Sequence, residues 1–371
     1  MDEITDKQII VRGTSSFTNI GNTCYLNSAL QCLMATDLFV SYFMSGNYKD
    51  DLKKNIINIL MDKIKIKNSD EKEIIVPHKT FRHKFKKSLS YSMRNVVITY
   101  WGINCSIKPE KVKSKLGTLN PRFMGSSQND SEEAINLILE TIHEECKKKV
   151  KVIINFTEDN EIIHNALLFL KDNLEKNYSV ITNIFTGLFF MEHSCSECKN
   201  ISYAYEPYNI VSLPIPEKPT TLEDCFTQFT TEEILTGDNK YRCDKCKKEV
   251  DGKKILSFWK LPPRLIIQLK RYHNNKNILY ENKTVIVFPI HDLDLSPFFS
   301  KYNSTISKYD LYGVIQQFGG IRGGHYIAYT KNLLNDEWYK YDDDTVTHIY
   351  PEFLERELIN GNSYILFYKL K

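Results

Sequence analysis

The chain has 371 residues, with 49 Lys+Arg against 46 Asp+Glu and a formal charge of +3 at pH 7. So balanced a charge gives no electrostatic footprint for nucleic acid, and no apolar run approaches a membrane-spanning length. At 42% hydrophobic and 26% charged, the composition is that of a globular protein with one large, subdivided domain or two domains.

Residues 1–16 read as a polar lead-in, and "MDEITDKQIIVRG" lacks the apolar core of a signal peptide. Four helical patterns follow. Residues 24–35 put Leu26, Ala29, Leu30 and Leu33 on one face, and 52–65 do the same with Ile56, Ile57, Leu60 and Ile64. Residues 131–148 align Ala134, Ile135, Ile138 and Ile142, with Asp130 or Ser131 as N-cap; residues 161–175 carry a weaker pattern. The basic runs "HKFKK" (83–87) and "CKKKVK" (146–151) read as solvated faces.

After about residue 180 the texture changes. "IFTGLFFMEHS", "ISYAYEPYNIVSLPIP", "RLIIQLKRY" and "KTVIVFPI" are short, β-branched or aromatic, and bounded by Pro, Asn or Gly. "YDLYGVIQQ", "GHYIAYT", "EWYKYD" and "SYILFYKLK" continue in the same manner. Helices first and strands later predict an α+β fold.

The nine cysteines are an odd number, and without a secretory signal they favour reduced thiols in a cytosolic or nuclear setting. Four of them form Cys195-Ser-Glu-Cys198 and Cys243-Asp-Lys-Cys246. Each Cys-x-x-Cys turn can grip half of a tetrahedron. Four thiolates with no open position predict one structural zinc per chain, with His193 superfluous as a ligand. Cys32, Cys105, Cys146 and Cys225 read as packing residues.

Cys24 stands apart. It opens the first predicted helix, with Asn22 or Thr23 as candidate caps, and helix N-termini favour thiolates. A nucleophile needs a base, and the base needs an orienting group. "GHYIAYT" and "EWYKYD" read as a hairpin centred between Leu333 and Leu334, which sets His325 opposite Asp342 on one face. In that register Asp343 faces away and Asp344 lies beyond the pairing. The glycines of "GGIRGG" let backbone approach a ligand just before the histidine.

At these residues the sequence resembles the ubiquitin-specific protease family of papain-like cysteine isopeptidases. "TNIGNTCYLNSALQCL" is similar to its Cys box and "GGHYIAYTKN…EWYKYDDDTV" to its His box. "GSSQNDSEEA", "IFTGLFFMEHSCSEC" and "LPPRLIIQLKRY" resemble its Gln-Gln-Asp box, finger entry and palm strand, so the likeness spans about 17–370. The resemblance implies a helical thumb (about 17–180), β-ribbon fingers bearing the zinc (about 181–255) and a β-rich palm (about 256–371).

The resemblance also implies that Cys24 is the nucleophile, His325 the general base and Asp342 its orienter. By the same resemblance Asn19 is expected to be the oxyanion donor, and Asp130 and Glu133 to bind the basic tail of ubiquitin. The partner is ubiquitin or its conjugates, met by a monomer, with no catalytic cofactor. Departures from the pattern are Asn129 in Gln128-Asn129-Asp130, Ala134 where a larger residue is common, and Gln317 at a frequent histidine. The alternatives are an isopeptidase for another ubiquitin-like modifier, a silent ubiquitin-binding module, and a four-cysteine nucleic-acid binder that lacks a basic patch.

Overall fold

The structure is a computed structural model that describes residues 11–67, 78–154, 160–216, 218, 220–275, 278–303, 305, 307–320 and 323–371. The start of the lead-in and residues 321–322 of the glycine loop lie outside the described residues. The chain divides into two compact units, residues 1–145 with 313–357, and 146–312 with 358–371.

The first unit is built on helices α1 (Cys24–Met34), α2 (Asp37–Ser45), α3 (Asn47–Lys67), α4 (His78–Lys87), α5 (Leu89–Gly102), α6 (Glu110–Leu119) and α7 (Ser131–Cys146). Every residue of α1 is buried, as expected of a helix enclosed on all sides. Its polar members are satisfied internally: Gln31 donates to the Ser15 carbonyl at 3.0 Å and accepts from the Tyr100 hydroxyl at 2.8 Å. Neither candidate cap holds its N-terminus. The N-cap Thr23 makes no side-chain cap bond, and its hydroxyl accepts instead from the Ile20 N–H. Asn22 sits at φ +50° and donates to the Ser126 carbonyl.

Helix α5 was not foreseen, because "LSYSMRNVVITYW" is rich in β-branched and aromatic residues that suit strands equally well. Ser88 settles the matter locally: its hydroxyl accepts from the Tyr91 N–H, an N-cap. The Glu145 carboxylate accepts from the Leu89 and Ser90 N–H groups at the same end.

Against α1 packs the strand Gly323–Lys331, one member of an antiparallel meander. Lys308–Gly320 pairs with it through Gly313↔Thr330 to Gly320↔Gly323. Trp338–Asp342 follows, and then Thr345–Ile349, joined across Asp342↔Thr345. The observed register sets Ala328 opposite Tyr341 and Lys331 opposite Trp338. That is two residues away from the symmetric hairpin expected. The connecting loop explains the shift: Asp336 takes a left-handed conformation (φ +58°), and Asn332 both receives from Asp336 N–H and donates to the Glu337 carbonyl. A shift of two preserves side-chain parity, so His325 and Asp342 still share a face.

The second unit holds a four-stranded antiparallel sheet in the order Ile201–Tyr208, Gly187–Cys195, Gly252–Lys260, Glu233–Leu235. Leu188, Phe190, Trp259 and Ala166 form its core cluster, with Tyr203, Tyr205 and Tyr302 packed around it. Arg264–Leu269 pairs in parallel with Ile210–Leu213 and antiparallel with Ser363–Leu370. "KTVIVFPI" contributes only the two-residue strand Ile286–Val287.

Candidate active site

The Cys24 sulfur is close enough to the His325 ring to be the largest influence on its protonation. Cys24 itself is 4% exposed, at the floor of the site. The other side of the imidazole is held by Asp342, whose Oδ1 is 2.5 Å from Nε2. That leaves Nδ1 as the ring nitrogen for the sulfur. The neighbouring Cys24 raises the His325 pKa most, and burial opposes it; Asp342 raises it further, to about 9. His325 and Asp342 side chains are 40% and 42% exposed, so solvent reaches the imidazole and carboxylate.

Asn19 has two ends with two jobs. Its Oδ1 accepts from the Gly21 N–H and Thr23 N–H, both at 3.1 Å, and so organises the turn that delivers Cys24. Its Nδ2 donates to Asp343 Oδ2 at 2.9 Å. Asp343 is the neighbour of this site that sequence reasoning missed. The symmetric hairpin turned it away from the site, yet it sits at φ +50° in the tight turn after Asp342. Its carboxylate lies within 4.8 Å of the His325 and Asp342 ligand atoms. Asn27 of α1 donates to its Oδ1 at 2.7 Å, and the Phe17 N–H bonds its carbonyl. The signal that could have found it is the run Asp342-Asp343-Asp344 itself, since aspartate tolerates the left-handed region.

Asp130 is the N-cap of α7: its Oδ1 accepts from the Glu132 N–H at 2.7 Å, and its Oδ2 accepts from the Tyr326 hydroxyl at 3.4 Å. Tyr326 adjoins His325, so Asp130 is tied to the histidine strand. Glu133 does not join it; its carboxylate pairs with Arg122 at 3.2 Å on the surface. Between them in sequence, Glu132 is pushed up to about 7 by burial and by the neighbouring carboxylates Asp130, Glu133 and Glu140. Gln128 accepts from the Gly324 N–H at 2.7 Å, one residue before the histidine.

The cysteine quartet lies in the second unit. Cys195, Cys198, Cys243 and Cys246 bring their sulfurs within 4.8 Å of one another. The Cys195–Cys246 and Cys198–Cys243 sulfurs are 3.9 and 3.7 Å apart. A tetrahedron with metal–sulfur bonds of about 2.3 Å has edges of about 3.8 Å, so the donor set fits zinc. In each turn a backbone N–H points at the first sulfur, Cys198 at Cys195 and Cys246 at Cys243. Gly252 is required beside it, since a Cβ there would meet the Ser194 carbonyl at 2.7 Å and the Tyr241 ring at 2.4 Å. His193 stands outside the quartet against Tyr241, ring to ring at 5.5 Å. Of the remaining cysteines, Cys32, Cys146 and Cys225 are fully buried, whereas Cys105 is half-buried. Burial pushes the Cys225 thiol up to about 11.

A sulfur, an imidazole and a carboxylate in series form the arrangement through which cysteine nucleophiles are activated. Residues 15–368 match the family model described as ubiquitin carboxyl-terminal hydrolase, and the chain belongs to that family. Ubiquitin carboxyl-terminal hydrolase 4 of Saccharomyces cerevisiae is 29% identical over 383 residues, which is 94% of this chain and 38% of that protein. Ubiquitin carboxyl-terminal hydrolase 2 of Bos taurus is 27% identical over 367 residues, 97% of this chain and 55% of that protein. The chain thus spans only part of the length of these relatives. Among solved structures, that of the SAGA Ubp8/Sgf11/Sus1/Sgf73 DUB module bound to ubiquitin aldehyde superposes with a TM-score of 0.69 at 23% identity. The match covers 97% of this chain and 70% of that one. The resemblance carried by the Cys and His boxes is thereby borne out, and so is the α+β fold.

Proposed function

We propose that this chain is a cysteine-type deubiquitinating hydrolase that cleaves the bond after the C-terminal glycine of ubiquitin. The observation that carries the reading is the series Cys24–His325–Asp342, in which Asp342 bonds the imidazole and the neighbouring sulfur, at a helix start, raises its pKa. The relatives' names and the ubiquitin aldehyde bound in the structural neighbour support ubiquitin as the acyl donor.

The Cys24 sulfur attacks the glycine carbonyl, its proton residing on His325. The tetrahedral oxyanion collapses with loss of the amine, which takes the proton from His325, and a thioester remains. Water then attacks with His325 as base, the C–S bond breaks and the free carboxylate leaves. Asp342 holds the imidazole by Nε2 so that Nδ1 faces the sulfur. Asn19 presents its side-chain amide beside this site and is the candidate oxyanion donor together with the Cys24 N–H. Asp343 is its positioning residue, because it fixes the amide. Asp130, bonded to Tyr326 next to the base, is the carboxylate best situated for the basic tail; Glu133 is engaged by Arg122. Cys195, Cys198, Cys243 and Cys246 would hold a zinc ion, which when bound cross-links two turns and supplies no reacting group.

Incubation with ubiquitin carrying a C-terminal electrophile tests this directly. The expected result is a covalent adduct on Cys24 that disappears in Cys24→Ser. Ubiquitin binding without an adduct would leave only a binding module, and a reaction confined to probes built on another ubiquitin-like tail would change the substrate.

A further inference from the structure

The run read in sequence as a solvated face gains neighbours in the fold. Helix α4 carries Lys79, Arg82, His83, Lys86 and Lys87 at i, i+3, i+4, i+7 and i+8, all exposed on one side. The opposite side is apolar: Phe85 packs on Tyr48 and Tyr91. Helix α6 adds Lys111 and Lys115 one turn apart. Lys113 between them is turned to the Gly21 carbonyl at 3.2 Å.

A cavity of about 520 Å³ lies among these helices, walled by Lys86, Lys87, Lys111 and Lys115 with the Ser92 and Ser114 hydroxyls. Among the described residues Glu110 is the one carboxylate in its wall. Among the described residues no ion pair or hydrogen bond engages those four ammonium groups. Like charges so gathered repel one another and gain from an anionic guest.

A second groove of about 560 Å³ shares Lys87 and Lys115 with the first. Leu52, Ile56, Ile59, Leu119 and Leu137 give it an aliphatic lining, and Ile59 and Leu119 remain 42% and 44% exposed. Glu140, Glu144 and Glu145 stand in its wall as well, Glu145 already bonded to the Leu89 and Ser90 N–H groups. An apolar trough joined to a basic pocket through two common lysines matches a guest that changes from apolar to acidic along its length.

We propose that this surface docks an acidic peptide segment of a partner protein. Its apolar side chains enter the groove and its carboxylates meet Lys86, Lys87, Lys111 and Lys115. Nucleic acid fits less well. Among the described residues no Phe, Tyr or Trp lines either cavity to stack a base, and Glu140 and Glu144 oppose a uniformly anionic backbone. The proposal is independent of the chemistry at Cys24.

The test titrates the full chain into a fluorescent synthetic peptide with a Glu/Asp block followed by a Leu/Ile block, read by anisotropy. Saturable binding that weakens with salt is expected. The double variant Lys87→Glu, Lys115→Glu should weaken it about tenfold or more. Ile59→Asp should weaken it severalfold, with melting temperatures unchanged in both. Absence of saturable binding overturns the proposal. Equal affinity for duplex DNA with no effect of Ile59→Asp overturns it in favour of nucleic acid. Binding seen only after residues 70–76 are replaced by Gly and Ser would assign the surface to the chain's own Asp70-Glu71-Lys72-Glu73-Ile74-Ile75-Val76 instead.

Discussion

The molecule holds two cysteine sites built on opposite principles. At Cys24 a single sulfur waits beside an imidazole, and its partners come from residues about three hundred positions away. At Cys195, Cys198, Cys243 and Cys246 four sulfurs face one another, each pair delivered by a turn of four residues. One site is open to solvent on its imidazole side and keeps a reactive atom free. The other closes a tetrahedron and leaves no coordination position for chemistry. On the proposed function the same side chain serves as nucleophile in one place and as staple in the other, according to what its neighbours leave unsatisfied.

Single substitutions should separate the two sharply. Cys24→Ala is expected to cut hydrolysis of a ubiquitin substrate by about 10⁴-fold or more with melting and metal content intact. Cys195→Ser should do the reverse in kind. Bound zinc, measured by elemental analysis, falls from about one per chain toward none, and the melting temperature drops. A Cys195→Ser protein that melts normally would break the comparison.

Asn19→Ala comes next, with kcat lowered by about 10²–10³-fold. If kcat stays within about threefold while the protein melts earlier, Asn19 serves the turn through Oδ1 and nothing else.

The smallest effect is titrational. The His325 ring resonance should move with a midpoint near 9, and Cys24→Ser should lower it more than Asp342→Asn. Because the folded value lies above the unfolded one of about 6.5, the stabilisation is complete below about pH 6.5. It fades as pH rises toward 9. A midpoint indifferent to Cys24→Ser would detach the sulfur from the imidazole.

How legible each part was follows from the range of its interactions. The quartet shows as two short motifs because each turn is local, and its assembly then needs only one meeting. α1, α3, α7 and Glu161–Asn177 were legible as periodic apolar faces. By contrast α4 and α6 are mostly Lys on the outside, so their helicity rests on packing that no window of sequence displays.

Asp342 was legible for a reason that survived an error. The hairpin is offset by two residues from the symmetric one, and parity kept Asp342 on the face of His325. Asp343 was lost to the same error, because its left-handed turn conformation overrides strand alternation. The caps of α1 were lost because Asn19 engages Thr23, which no capping rule anticipates.

Asp343 ties Phe17, Asn19 and Asn27 to the far end of the chain. At ribosomal speeds of about 5–20 residues per second, some tens of seconds separate the making of Cys24 from that of its clasp. Through that interval the nascent polypeptide holds a sulfur with no base, no orienter and an unanchored amide. On the proposed reading, any growing chain released short of His325 would carry its nucleophile without a base.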